Sequence, residues 1–209
     1  MNRPHAYTGL CACHPGASRR GFLQSLAGLG AAGALGASGC ASLATPAKAH
    51  RIDVHHHFVA PTYSASLKAR GQGHIPWSVQ KSIEDMDKSG ISTAVLSIAQ
   101  PGVLFGKDFE LARKLARGVN EYGAKMVRDF PGRFGLFAVL PFPNATNCMK
   151  EIEYAFDTLK ADGVGLMTNF GDKWPGDPAY TPVFNELNRR KAIVYVHPNN
   201  PDCCGSLMS

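Results

Sequence analysis

Thr93-Ala94-Val95-Leu96-Ser97-Ile98 is a largely apolar run, and Ile193-Val194-Tyr195-Val196 is a second such run near the other end of the chain. A strand with one solvated face alternates apolar and polar residues, whereas a strand covered by helices is apolar almost throughout. Both runs therefore predict strands of a parallel sheet. Parallel neighbours need long crossover connections, which are usually helices.

Outward from these runs, the chain alternates short apolar segments with longer amphipathic ones, the form taken by repeated strand and helix units. Five strands are predicted, at residues 51–56, 93–98, 134–140, 164–167 and 192–197. Helices are predicted at residues 79–88, 108–130, 146–161 and 182–190, and a polar loop is expected before the first of them. We predict an α/β fold of the (β/α)8 TIM-barrel type, incomplete, with about five of its eight units present.

The first predicted strand ends in Asp53-Val54-His55-His56-His57. Because side chains alternate along a strand, His55 and His57 share one face and His56 takes the other. Two neutral imidazoles on one face can chelate a metal ion, and one or two ligands from other strands would complete the site. The alternative is a solvated or hydrogen-bonded histidine cluster, but the position of the motif before a loop favours metal.

His197 ends the fifth predicted strand, and Pro198 then opens a loop. The carboxyl ends of barrel strands form one rim, so His197 is expected to join His55 and His57 as a third metal ligand.

For most of the other polar residues the sequence leaves two interpretations open. Asp53 either orients a ligand or makes an ordinary hydrogen bond at the strand end, and His56 is expected to lie outside the barrel. His74, Lys173 and Trp174 either border the pocket or are ordinary loop residues.

Four segments together resemble one family: Ile52-Asp53-Val54-His55-His56-His57-Phe58, Pro131-Gly132-Arg133-Phe134-Gly135, Asp162-Gly163-Val164-Gly165-Leu166 and Val194-Tyr195-Val196-His197-Pro198. The family is the amidohydrolase-related one that includes aminocarboxymuconate-semialdehyde decarboxylase and the dihydroxybenzoate decarboxylases. The resemblance extends over nearly all of residues 51–204. It implies a divalent ion, zinc first and manganese second, held by His55, His57, His197 and an Asp from the eighth strand, with a catalytic His after the sixth. Because that His and Asp are expected beyond Ser209, no catalytic residue is assigned, and the sequence is expected to be a C-terminally truncated fragment or a decayed copy.

The resemblance implies a carboxy-lyase that acts non-oxidatively on a small aromatic or unsaturated carboxylic acid. The same ligands also suit a hydrolase in which metal-bound hydroxide attacks an ester, lactone or amide. A third hypothesis is an inactive remnant that at most binds metal. Release of carbon dioxide rather than addition of water would separate the first two.

Residues 1–49 are predicted to be a signal peptide, and residues 50–209 the barrel segment. Arg19-Arg20 before Phe22-Leu23 resembles a twin-arginine motif, and an uncharged stretch follows it. Cleavage is expected after Ala49, although a membrane anchor and a lipoprotein attached through Cys40 are alternatives. The chain is thus expected to use the twin-arginine export machinery and to be periplasmic or secreted. The glycines of Gly28-Leu29-Gly30-Ala31-Ala32-Gly33 fit a dinucleotide-binding pattern, but no strand precedes them, so no cofactor-binding residue is assigned.

The net charge of +6 arises mostly in this leader, which carries four of the 22 basic residues and none of the 16 acidic ones. The remaining net charge of +2 gives no support to nucleic-acid binding. Cys148, Cys203 and Cys204 are interpreted as structural, since their spacing fits no thiolate zinc site. The sequence leaves open whether the chain forms a homo-oligomer.

Overall fold

The computed structural model describes residues 50–71 and 76–199. In chain order these contain β1 (Arg51–His57), α1 (Pro61–Ala69), α2 (Val79–Ser89), β2 (Ile91–Ser97), α3 (Phe109–Asp129), β3 (Phe134–Val139), α4 (Ala145–Glu153), β4 (Gly163–Met167), α5 (Thr181–Arg189) and β5 (Ile193–His197). A π-helical turn (Tyr154–Thr158) follows α4, and a short 3-10 helix (Pro178–Tyr180) precedes α5.

The predicted leader, with Arg19, Arg20 and Cys40, lies outside the described residues, as do His74, Cys203 and Cys204. The predicted boundary between residues 49 and 50 therefore stays a prediction. Within the described residues, each helix is too short or too polar to cross a bilayer.

The five strands form one parallel sheet in the order β1-β2-β3-β4-β5. Each strand lies beside its successor in the chain, so every connection crosses over through helical segments, as in barrels of alternating strands and helices. All six residues of β3, the central strand, are buried. The prediction of a partial barrel of parallel strands is confirmed.

Local signals fix where several helices begin and end. The hydroxyl of Ser78 accepts a hydrogen bond from the backbone of Lys81 at the start of α2, and the carboxylate of Asp108 does the same for Leu111 at the start of α3. Gly90 ends α2 with a φ of 66°, a left-handed conformation that glycine adopts without strain. The chain can therefore turn directly into β2.

The sheet is curled, and contacts on its inside bring its two edge strands, β1 and β5, close together. The ring of Tyr195 on β5 stacks on that of Phe137 on β3, with centroids 5.5 Å apart. The same Tyr195 ring lies 5.6 Å from the imidazole of His55 on β1. Strands at opposite ends of the pairing order thus share one concave face.

A buried polar network joins α3, β3 and α4 on the outside of this sheet. The Asn120 side chain donates to the carbonyl of Val139 at 2.9 Å and accepts from its N–H at 2.8 Å. It also donates to Glu151 at 2.9 Å, and Glu151 in turn pairs with Arg117. These bonds satisfy the backbone at the end of β3, which would otherwise be buried without partners.

The structure differs from the prediction in two of the segments that connect strands. The expected polar loop after β1 contains α1, in which Tyr63 and Leu67 are buried four residues apart and Pro61 occupies the first turn. This spacing and this proline are the signals of a helix start and an apolar face. The helix predicted at residues 146–161 is present from residue 145 to residue 158, but its last part is a π-helical turn, because the N–H of Leu159 donates to the carbonyl of Tyr154 five residues back.

Candidate metal centre

β1 presents its histidines on two faces, as the alternation predicts. His55 and His57 point into the concave side, while His56 contacts Ser82 of α2 on the outside. The pairing of β1 with β2 is irregular between Asp53 and His56, where β1 carries a bulge. Bulges of this kind redirect side chains and recur beside functional sites.

Three imidazoles converge through their Nε2 atoms on the concave side. The Nε2 atom of His57 lies 3.0 Å from that of His55 and 3.1 Å from that of His197. Ligand atoms of the three residues all fall within 4.8 Å of one another. The curl of the sheet is what brings His197, on the opposite edge strand, to the pair on β1.

The donor set fits a divalent ion. A tetrahedral zinc bonded to imidazole at about 2.0–2.1 Å would hold two nitrogens roughly 3.3 Å apart, close to the observed separations. One neutral imidazole can donate to another at these distances, and a bound divalent ion would replace these hydrogen bonds with nitrogen ligands. With His55, His57 and His197 as ligands, a tetrahedral ion would keep a coordination position open for another group.

The surroundings keep these rings ready to bind. His197 Nδ1 lies 2.7 Å from the carbonyl oxygen of Pro198, which can only accept, so Nδ1 carries the proton and Nε2 keeps its lone pair. Burial, followed by the proximity of His197 and His55, lowers the pKa of His57 below its ordinary value of 6.5. A neutral imidazole is the form that a metal ion needs.

A cavity of about 310 Å³ lies among the loops that follow β2, β3 and β4. Its lining combines the apolar side chains Val103, Leu140, Phe142 and Met167 with the amides of Asn169 and Asn199 and the backbone of several glycines. None of the three histidines lines the cavity, but Met167 is paired in register with His197 and Asn199 lies two residues after it, so the cavity and the cluster are neighbours along β4 and β5. Its volume is near the lower end of the range for small-molecule pockets, roughly 300–1,000 Å³.

Other residues singled out in the sequence have different places. Lys173 pairs with Asp177 at 3.0 Å, and Trp174 is exposed; neither residue lines this cavity. Cys148 is fully buried, and this burial raises the pKa of its thiol, in keeping with a structural role.

Asn169 is a cavity residue that the sequence reasoning missed. Its position just after β4, on the rim where barrel sites are built, is the signal that could have found it.

Comparison with known proteins places these features in a family. A family model described as amidohydrolase matches residues 52–207. Decarboxylase yanB of Aspergillus niger is 41% identical over 160 residues, covering 72% of this chain and 44% of that protein. The 6-methylsalicylic acid decarboxylase acuB of Aspergillus aculeatus is 36% identical over 160 residues, covering 72% and 48%.

Solved structures show the same fold. A crystal structure of an amidohydrolase II superposes with a TM-score of 0.69 and 32% identity over 72% of this chain and 51% of that one. A dihydroxybenzoic acid decarboxylase from Polaromonas, solved with manganese and the inhibitor 2-nitroresorcinol, has a TM-score of 0.63 at 22% identity, covering 75% and 52%. The chain spans about half the length of the curated relatives it matches.

Proposed function

We propose that this chain, which belongs to the amidohydrolase family, catalyses the metal-dependent, non-oxidative decarboxylation of a small aromatic carboxylic acid. The family model matches residues 52–207. The observation that carries the proposal is the convergence of three histidine Nε2 atoms near a cavity lined by both apolar and amide side chains. Relatives named as decarboxylases, one of them for 6-methylsalicylic acid, support this reaction.

His55, His57 and His197 are proposed to hold the ion, with zinc as the first candidate and manganese as the second. The manganese in the Polaromonas decarboxylase structure supports the second. When bound, a divalent ion supplies positive charge that binds oxygens of an acidic substrate and stabilises negative charge developing on it.

The cavity residues are proposed to bind the aromatic ring. Leu140, Phe142 and Met167 are buried apolar side chains that would contact the ring and exclude water from it. Exclusion of water strengthens the attraction between the carboxylate and the metal centre, because the local dielectric falls. It also disfavours the competing addition of water.

The test is an assay of the full chain, loaded with zinc or with manganese, on 6-methylsalicylate and 2,6-dihydroxybenzoate. We expect release of carbon dioxide and its loss in His197→Ala. His50→Ala is the matched control, since His50 is an exposed histidine that contacts Thr93 outside the cluster.

Two outcomes would overturn the proposal. Hydrolysis of an ester, lactone or amide without release of carbon dioxide would assign the hydrolase reaction instead. Metal binding without turnover of any of these substrates would assign an inactive metal-binding chain.

We also propose that residues 1–49 direct export through the twin-arginine machinery. The support is the sequence Arg19-Arg20-Gly21-Phe22-Leu23 ahead of an uncharged stretch. Arg19→Lys with Arg20→Lys is expected to keep the chain in the cytoplasm of a bacterial host, whereas the unaltered chain is exported. The mass of the exported chain distinguishes cleavage after Ala49 from lipidation at Cys40, and export of the doubly substituted chain would contradict the proposal.

A further inference from the structure

We infer that Asp53 and His56 are positioning residues for the metal centre, and that a hydrogen-bonded chain from α2 through these two residues fixes the backbone of His55. The inference rests on the proposed metal-binding function, because it assigns a role to residues that support a ligand. It concerns the convex side of β1, opposite the three converging imidazoles.

Asp53 holds the bulge of β1 through its side chain. Asp53 Oδ1 accepts a hydrogen bond from the N–H of His55 at 3.0 Å, within the segment where the pairing with β2 is interrupted. A bulge leaves backbone groups without a partner in the ladder. The carboxylate of Asp53 therefore supplies the partner that the N–H of His55 needs at this point.

The second oxygen of Asp53 binds His56. His56 Nδ1 lies 3.1 Å from Asp53 Oδ2, and because a carboxylate can only accept, Nδ1 carries the proton. In the neutral ring Nε2 then accepts from the hydroxyl of Ser82, which is 2.5 Å away. Ser82 is 6% exposed and lies within α2, so the far end of this hydrogen-bonded link is fixed to the helix that leads into β2.

The three residues have the types of a hydrolytic Asp-His-Ser triad, but their placement excludes that role. Ser82 is buried, and it is not among the residues that line the cavity of about 310 Å³. A nucleophile needs room for a substrate carbonyl and donors to hold its oxygen. The geometry instead links a helix to a metal ligand.

Loss of these hydrogen bonds between Asp53, His56 and Ser82 should disturb the orientation of the His55 side chain more than it disturbs the fold. A shift of one residue in strand register moves a side chain to the opposite face of the sheet. Asp53 opposes such a shift, because it precedes the bulge while its two oxygens bind His55 within the bulge and His56 after it. The imidazole of His55 is thereby kept on the concave side, where its Nε2 faces that of His57.

The experiment measures cobalt(II) binding to the full chain, by affinity and by visible absorption spectrum, in Asp53→Ala, Asp53→Asn and Ser82→Ala. Removal of groups that orient metal ligands commonly weakens metal affinity about 10- to 100-fold. We expect a loss of this size and a changed cobalt spectrum in Asp53→Ala. Asp53→Asn keeps an oxygen for the His55 N–H and should recover most of the affinity.

Ser82→Ala removes only the hydrogen bond between His56 and α2, and it is expected to cause a smaller loss of cobalt affinity. Asp87→Asn is the matched control, because Asp87 is an exposed carboxylate that pairs with Arg133 away from the histidine cluster. It should leave both the affinity and the spectrum unchanged.

A second measurement needs no metal. Hydrogen exchange at the N–H of His55 in the metal-free chain should be slow in the unaltered protein and in Asp53→Asn, and fast in Asp53→Ala. Equal exchange and equal cobalt binding in the unaltered protein and Asp53→Ala would overturn the inference. If the unaltered chain binds no cobalt while the exchange pattern is as expected, the proposed metal function fails but the role of Asp53 in holding His55 stands.

Discussion

The three histidines of the candidate centre are held in three different ways. His197 donates from Nδ1 to the carbonyl of Pro198, and the backbone of His55 is bound by Asp53. His57 has a buried Nδ1 atom without a hydrogen-bond partner. Packing and the contacts of its Nε2 atom with His55 and His197 therefore fix His57, and burial makes its protonation costly.

The depressed pKa of His57 predicts how stability changes with pH in the metal-free protein. In the unfolded chain His57 has its ordinary pKa of 6.5, whereas burial and the neighbouring His197 and His55 lower it in the fold. The unfolded state thus takes up the proton first as the pH falls. The stability that the neutral ring contributes is present above pH 6.5 and is lost as the pH falls through the lowered pKa.

Urea unfolding at about pH 7.5 and about pH 5.5 checks this prediction. The free energy of unfolding should fall between these two values, and the fall should be smaller in His57→Gln. His50→Gln, at an exposed histidine, should retain the full difference. An equal pH dependence in the unaltered protein and His57→Gln would show that His57 does not contribute.

Helix α3 packs against the sheet at a distance set by a glycine. A Cβ atom at Gly123 would lie 2.6 Å from Leu136 Cδ1 and 3.1 Å from Phe58 Cζ, and both of these side chains are fully buried. Gly123 thus permits a close approach of the helix to β3. Gly118, one and a half turns earlier, meets only the exposed Thr62.

The two glycines of α3 are therefore expected to respond oppositely to alanine. In a helix interior the replacement of glycine by alanine stabilises by about 1 kcal/mol when space allows. Gly118→Ala should come close to this gain or be neutral, since the Thr62 hydroxyl is 3.2 Å from the added Cβ and can rotate away. Gly123→Ala should destabilise by about 1–3 kcal/mol because the core around it cannot expand.

Chemical unfolding of the two variants beside the unaltered chain measures both free energies. Equal effects at the two positions would mean that the packing of α3 on β3 does not depend on Gly123.

On the scale of the whole molecule, the curled sheet ends in two strands whose outward side chains are apolar. Within the described residues β1 pairs only with β2, and β5 only with β4. Val54 is 51% exposed on β1, and Val196 is 47% exposed on β5. Exposed apolar strand edges are surfaces on which other chains can pair.

These edges predict concentration-dependent self-association of the chain. Val54→Lys with Val196→Lys should shift the population toward smaller species in sedimentation velocity, because a buried lysine opposes edge pairing. Phe109→Lys is the control, since Phe109 is an exposed apolar residue at the start of α3 rather than on a strand. A chain that sediments as a monomer at every concentration would contradict the prediction.

Much of this architecture follows from local sequence pattern. The runs at residues 93–98 and 193–196 predict buried parallel strands, and the strand boundaries of the structure fall within two residues of those expected. The i, i+2 spacing of His55 and His57 predicts their common face, because alternation is a property of the single strand. The glycine of Asp162-Gly163-Val164 has a tertiary reason instead, since a Cβ atom at Gly163 would meet the carbonyl of Ile193 on β5 at 2.6 Å.

Other features depend on contacts between distant residues. The bulge at Asp53, its hydrogen-bonded link through His56 to Ser82, and the cavity beside Asn169 leave no periodic signal in the sequence. The separation of 3.1 Å between the Nε2 atoms of His57 and His197 belongs to this class as well. The sequence by itself determined which strands form and which face each histidine takes, because strand formation and alternation are local. Only the tertiary structure decided how closely those histidines meet, because curl accumulates over four strand pairings and the packing of helices behind them.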